Sequence, residues 1–202
     1  MKYLKTYEQN SDFTELIKKL TYFSKNKQKD YDELKILIFK HKDLINVGKF
    51  YKPISIAIST SDIMMLQLLI EFGADVNLPI SQDNSTPLYK AVVSDNIDMI
   101  RILIKAGANV NIGCTVINQP PLILAFNRYI NSVREEKNLD IVHELIKAGA
   151  DWSLEDSTNA NRNHNDFVYY IDYYKKSDYF IELYPEKYEE YLINKAANAY
   201  DI

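Results

Sequence analysis

The sequence predicts an all-α protein built as a stack of about five helix pairs. Three similar phrases of sixteen residues carry this prediction, at 62–77 (DIMMLQLLIEFGADVN), 96–111 (NIDMIRILIKAGANVN) and 138–153 (NLDIVHELIKAGADWS). A second series consists of three prolines spaced by 34 residues, Pro53, Pro87 and Pro121. Two interleaved series of similar period are typical of a solenoid, in which each unit buries its open face against its neighbours.

The unit at 86–111 shows what each position does. Thr86 is placed to cap the amino end of a first helix, and Pro87 fits the first turn, where its missing N–H costs nothing. Apolar residues then recur at helical spacing on a first and a second helix: Leu88, Ala91, Val92, Met99, Ile100, Leu103 and Ile104. Gly107 stands where a helix ends in a left-handed conformation. Each unit is therefore predicted to be helix, turn, helix and loop.

The third unit is longer than the other two. The glycines that end the second helices, Gly73, Gly107 and Gly149, are spaced by 34 and then 42 residues. The eight extra residues fall around NRYINSVREEKN, between the two helices of the third unit. Because a helical turn holds about four residues, two added turns would absorb them without breaking the apolar stripe.

This unit resembles the ankyrin repeat, whose T-P-L-H-x-A opening and G-A-D-V-N close are matched most fully by 86–111 and, for the close, by FGADVN at 72–77. The resemblance covers roughly residues 50–155 and implies an ankyrin-repeat solenoid. The threonine is replaced by Lys52 and Pro120, so two first helices are expected to lose their side-chain cap. The histidine is replaced at Ser55, Tyr89 and Ile123, which leaves the hydrogen bonds that this position makes between repeats open.

We expect a single ankyrin-repeat domain over residues 1–202, with degenerate repeats capping both ends. Apolar residues at helical spacing on 11–23 and on 30–46 indicate the first, degenerate repeat. The expected divisions are a degenerate repeat at 11–48, repeats at 50–83 and 84–117, a repeat with an insertion at 118–154, and a carboxy-terminal helical cap at 160–202.

Composition narrows the class of protein. The formal net charge is −4, which gives no indication of nucleic-acid binding. Cys114 is the single cysteine, and no apolar stretch is long enough for a membrane span. We therefore expect a soluble, cytoplasmic and monomeric protein that contacts neither nucleic acid nor membrane, or one delivered into a host cell if it is an effector.

Sequence motifs for catalysis are missing. There is no glycine-rich phosphate loop, and His41, His143 and His164 show no metal-ligand spacing. As a nucleophile, Cys114 would need a histidine and an orienting partner, which the repeat register does not supply. We therefore expect no catalytic residue, no metal and no cofactor.

The ankyrin resemblance implies that the loop tips and the concave face of the first helices bind another protein. Carried over position by position, the candidate contact residues are Ser59, Thr60, Asp83, Asn84, Ser85, Lys90, Val93, Ser94, Asn118, Gln119, Leu124, Asn127 and Arg128. Lys90 and Arg128 would offer a partner's acidic patch two cations one repeat apart.

The expected function is therefore a non-enzymatic protein-interaction module, acting as an inhibitor, an immunity-type protein or an effector. Two alternatives stay open. One is an enzyme whose site lies in the carboxy-terminal helical region, with His164 and Asp166. The other is a substrate of an asparagine hydroxylase, at Asn77 or Asn111 in the closing phrase of each repeat.

Overall fold

The computed structural model describes residues 11–48, 51–116, 119–131 and 136–151, together with residues 181, 185, 186, 188 and 189. The chain divides into two compact units, residues 1–152 and 153–202. Nearly all described residues belong to the first unit. The expected carboxy-terminal cap, with His164 and Asp166, lies almost entirely outside the described residues, and so does Asn118. The division into one domain with five parts therefore stays a prediction.

The described part of the first unit is all α-helical, as predicted. Its helices are α1 (Ser11–Lys25), α2 (Tyr31–Lys40), α3 (Pro53–Ser59), α4 (Ile63–Glu71), α5 (Pro87–Val93), α6 (Ile97–Lys105), α7 (Pro121–Asn131) and α8 (Glu136–Lys147), with a 3₁₀ turn at Lys42–Leu44. These residues form no β-strand, only isolated bridges that join Cys114 to Ser85 and to Gln119.

The helices pack as two rows. The inner helices α1, α3, α5 and α7 contact one another in that order, and the outer helices α2, α4, α6 and α8 do the same. Each inner helix also packs on the outer helix that follows it in the chain. Every helix pair therefore covers the open face of its neighbour, which is the solenoid arrangement that the repeats predict.

The helix ends follow the local sequence. The Thr86 hydroxyl accepts a hydrogen bond from the Tyr89 N–H (3.3 Å), whereas Lys52 gives α3 no side-chain cap, as expected. Asn96 caps α6 by accepting from the Met99 N–H at 3.1 Å. Gly107 follows α6 with a φ of +87°, a conformation that side chains disfavour.

The core lies between the two rows of helices. Leu103 on α6 and Ala91 on α5 are fully buried, as predicted, and their counterparts on α4 and α7 are Leu69 and Ala125. In the degenerate first repeat, the buried positions of α1 are Phe13, Leu16 and Leu20. The first repeat thus buries the same kind of stripe as the later ones, although its sequence has lost the characteristic phrases.

The insertion lengthens the helices of the last described pair. Relative to α5 and α6, helix α7 is four residues longer and α8 is three residues longer. The eight extra residues are therefore almost all helical, which confirms the prediction that added turns absorb them.

Asparagine side chains link successive repeats. The Asn77 amide donates to Gly107 O (3.1 Å) and accepts from the Asn109 N–H (2.7 Å). Asn46 makes the same two bonds one repeat earlier, and Asn111 accepts from the Asp151 N–H at 2.7 Å one repeat later. Each amide satisfies backbone groups that a loop would otherwise leave without a protein partner, so the loops are stacked in a fixed register.

Candidate functional site

A groove of about 590 Å³ runs across the inner helices α1, α3 and α5. Five of the residues that the sequence nominated for partner binding line it: Ser59, Thr60, Lys90, Val93 and Ser94. Ser59, Thr60, Val93 and Ser94 are exposed, because the inner helices turn their short side chains away from the core. We call this surface the inner groove.

Lys90 is held in place by Asp83 from the preceding loop. The ammonium donates to the carboxylate at 3.0 Å, and Ser81 and the Ser85 N–H donate to the same carboxylate. Burial alone would raise the pKa of Asp83, but these hydrogen bonds hold it well below the usual range. Asp83 is therefore an anion that fixes both the loop and the position of Lys90.

The loop tip at 80–85 is a tight turn clamped to the next loop. The Ile80 N–H donates to Ser85 O at 2.9 Å, and Asn84 at the tip has a φ of +54°. Ser85 is fully buried, so its side chain is withdrawn from the surface to which the sequence assigned it. Cys114 is buried against this loop, and its thiol lies 3.2 Å from Asp83 O.

Arg128 on α7 pairs with Asp95, which follows α5. The guanidinium Nε donates to Asp95 Oδ1 at 2.7 Å, and Nη2 donates to the second carboxylate oxygen. The hydrogen bond from Arg128 to Asp95 raises the pKa of the guanidinium, against a smaller opposing effect of burial. Both cations that the sequence offered to a partner, Lys90 and Arg128, are therefore already paired within the chain.

Three further nominated residues belong to α7 or to the segment before it. Leu124 and Asn127 are half-buried on α7, the helix that carries Arg128. Gln119 is half-buried at the start of the segment that enters α7, and its carbonyl accepts from the Cys114 N–H at 3.1 Å. These three residues are not among those that line the inner groove.

The helix pairs, the glycine-terminated outer helices and the asparagine links recur with the repeat. The family model described as ankyrin repeats (3 copies) matches residues 20–114. Residues 20–114 of this chain form ankyrin repeats. Ankyrin repeats are generally protein–protein interaction modules, and the family is typically non-enzymatic. A comparison with curated proteins found no match.

The ankyrin match begins at residue 20, so it includes the end of α1 and the whole of α2. Beyond Cys114, where the match ends, α7 and α8 continue the two rows of helices. Four helix pairs therefore stand in the described part of the solenoid, and the match covers the middle two in full.

At the ankyrin threonine position, Thr86 makes two hydrogen bonds, and Lys52 makes an equivalent of one of them. The Thr86 hydroxyl donates to Ile112 O at 2.9 Å, and the Lys52 ammonium donates to Pro79 O at 2.7 Å, one residue beyond the counterpart of Ile112. Burial lowers the pKa of Lys52, with Asp75 acting in the opposite direction. The link to the following loop is thus kept even where the helix cap is lost.

At the ankyrin histidine position, Tyr89 also makes a bond between repeats. Its hydroxyl donates to the Gln119 side-chain oxygen, and burial raises the pKa of Tyr89 to about 12. Gly113 lets this ring pack closely, because a Cβ there would lie 2.7 Å from Tyr89 Cδ2 and 2.1 Å from Gln119 O. Tyrosine at the histidine position therefore still links two repeats, through its own hydroxyl group.

Sequence reasoning did not find the part of the inner groove that belongs to the degenerate first repeat and to the residues just before α3. Thr21, Ser24 and Lys25 on α1 line the groove, together with Tyr51 before α3. The ankyrin pattern marks positions in the three full repeats only. The signal that could have found these residues is the apolar stripe of α1, which identifies its opposite face as polar and accessible.

The described residues show little that suggests catalysis. Their His, Cys, Asp and Glu side chains form no cluster of three that could hold a metal ion. His143 on α8 is buried, and burial lowers its pKa to about 4. Among the helices of this part of the chain, none is long and apolar enough to cross a membrane.

Proposed function

We propose that this protein acts by binding one protein partner along the inner groove and the adjoining loop tips, without catalysing a reaction. The observation that carries the proposal is the groove itself, which gathers Ser59, Thr60, Lys90, Val93 and Ser94 on one surface. The links between repeats support it, because a surface held in fixed register loses little conformational freedom on binding.

Binding of this kind would block a surface of the partner or hold the partner in place. An inhibitor, an immunity-type protein and an effector all act in this way, by covering a surface of the partner. The links between the described repeats favour a rigid binding face, so occupancy of the partner is the activity that we propose. Of the candidate residues, Ser85 is left out of this surface because it is buried.

The test compares two variants with matched substitutions. Val93→Arg places a long cation in the groove, at a side chain that is 40% exposed, whereas Met64→Arg does the same on outer helix α4, at a side chain that is 48% exposed. Tagged wild-type protein and both variants are used to capture proteins from lysate of the source cells, with quantitative mass spectrometry as the measurement. We expect a partner that wild type and Met64→Arg retain and Val93→Arg loses. If Met64→Arg alone loses it, the outer helices form the binding surface and the proposal fails.

A further inference from the structure

The inner groove has an exposed apolar part. Tyr51 is 70% exposed and Val93 is 40% exposed, and both line the groove. Ile56 lies beside them as a largely buried part of the lining. Apolar surface in a concave site gains free energy when an apolar side chain displaces its water. The groove therefore favours a partner that brings such a side chain.

Six of the serine and threonine hydroxyl groups that line the groove have their hydrogen atoms committed to nearby backbone carbonyls. Each donates to a carbonyl three or four residues earlier, at 2.6–3.1 Å: Thr21, Ser24, Ser55, Ser59, Thr60 and Ser94. A hydroxyl has one hydrogen to donate and two lone pairs that accept. What these groups still offer a ligand is acceptor capacity, which suits the backbone N–H groups of an extended peptide.

The charge of the groove is positive. The described residues that line it include Lys25 and Lys90 but no Asp or Glu. Asp83 pairs with Lys90, whereas Lys25 is exposed at the end of α1 and forms no ion pair with a described residue. The uncompensated charge at the groove is thus the ammonium of Lys25, and a carboxylate is the group that complements it.

We propose that the inner groove binds a peptide segment of the partner in which an apolar side chain stands close to an Asp or Glu. The apolar side chain contacts Tyr51 and Val93, the carboxylate pairs with Lys25, and the backbone N–H groups donate to the serine and threonine oxygens. This inference rests on the proposed function, since it names the chemistry of the partner at that same surface.

The test is selection from a library of random peptides displayed on phage, with the full chain as the target. We expect the enriched peptides to combine an aliphatic or aromatic residue with a nearby Asp or Glu. A synthetic peptide of the enriched sequence is then titrated against wild type and variants by calorimetry. Lys25→Glu should weaken its binding about tenfold, because attraction becomes repulsion at a partly solvated site. Lys27→Glu, an exposed lysine that does not line the groove, is the matched control and should leave binding unchanged.

The outcomes separate this inference from the proposed function. If the peptides show no acidic preference, or if Lys25→Glu and Lys27→Glu bind equally well, the inference is overturned, while loss of binding in Val93→Arg would still place the ligand in the groove. If no peptide is enriched, a peptide segment is not the ligand, and the capture experiment still decides the proposed function. If Val93→Arg leaves binding of the peptide unchanged, the peptide lies outside the groove and the inference is overturned, while the capture experiment still decides the proposed function. Thermal unfolding of each variant checks the fold, and Lys25→Gln, which removes the charge without reversing it, serves if Lys25→Glu is unstable.

Discussion

Arg128 and Asp95 form an ion pair that ties inner helix α7 to the turn after inner helix α5. The two residues are 33 positions apart in the chain, and their side chains are 34% and 25% exposed. Arg128 therefore has a structural role between repeats before any partner arrives.

Breaking this pair should lower stability. We expect Arg128→Met and Asp95→Asn each to reduce the free energy of unfolding by about 1 kcal/mol, because the pair is only partly shielded from water. Asn suits position 95, since the backbone there has a φ of +50°. Urea unfolding of both single variants and the double variant measures the coupling between the two residues. Strict additivity would contradict a direct interaction, and Lys147→Met, at an exposed position on α8, should have little effect.

Leu103 tests the position of the core. Its side chain is fully buried on α6, so Leu103→Ala should cost about 3 kcal/mol through lost burial and the cavity left behind. Lys105→Ala, two residues along the same helix and exposed, should change stability by about 0.5 kcal/mol at most. Denaturant unfolding provides both values. Similar losses in the two variants would mean that the buried face of α6 is assigned wrongly.

Asn77 tests the links between loops. Asn77→Ala removes one donor and one acceptor that bind the backbone of the next repeat, and we expect a loss of about 1–2 kcal/mol. The comparison is Gln82→Ala, another exposed amide side chain in the same repeat. Hydrogen exchange should show faster exchange at the Asn109 N–H in Asn77→Ala alone. Unchanged exchange there would show that the amide does not hold the loop in solution.

His143 predicts a dependence on pH. Burial lowers its pKa from 6.5 to about 4, although Asp140 and Glu144 act in the opposite direction. Between these pH values the unfolded chain binds a proton that the folded chain does not, so stability falls as the pH is lowered. The full effect of this residue is about 3 kcal/mol. His143→Gln should lose stability less steeply between pH 6.5 and pH 4 than wild type, as measured by urea unfolding across that range. Parallel curves for the two proteins would rule this explanation out.

The features that were predictable from sequence are those with local causes. Thr86 and Pro87 start α5 because a cap and a fixed φ act within one turn, and Gly107 ends α6 for a reason that lies in its own backbone. The groove residues on α3 and α5 followed from the ankyrin resemblance, which implies the side of the helix that each position takes.

The features that escaped prediction depend on residues about one repeat away. The pairing of Arg128 with Asp95 joins positions that no local pattern relates. Ser85 belongs to a loop tip by register, but the bridge to Cys114 buries it. The contribution of α1 to the inner groove also escaped, because its repeat has lost the phrases that mark positions in the others.

The asparagine links have a mechanical consequence. Each of the amides of Asn46, Asn77 and Asn111 reaches only the next repeat, so no such link spans the whole array. An array joined by nearest neighbours opens from an end, because an end repeat has one neighbour to leave and an inner repeat has two. Under tension, we therefore expect the described array to unfold one helix pair at a time and to refold in the reverse order.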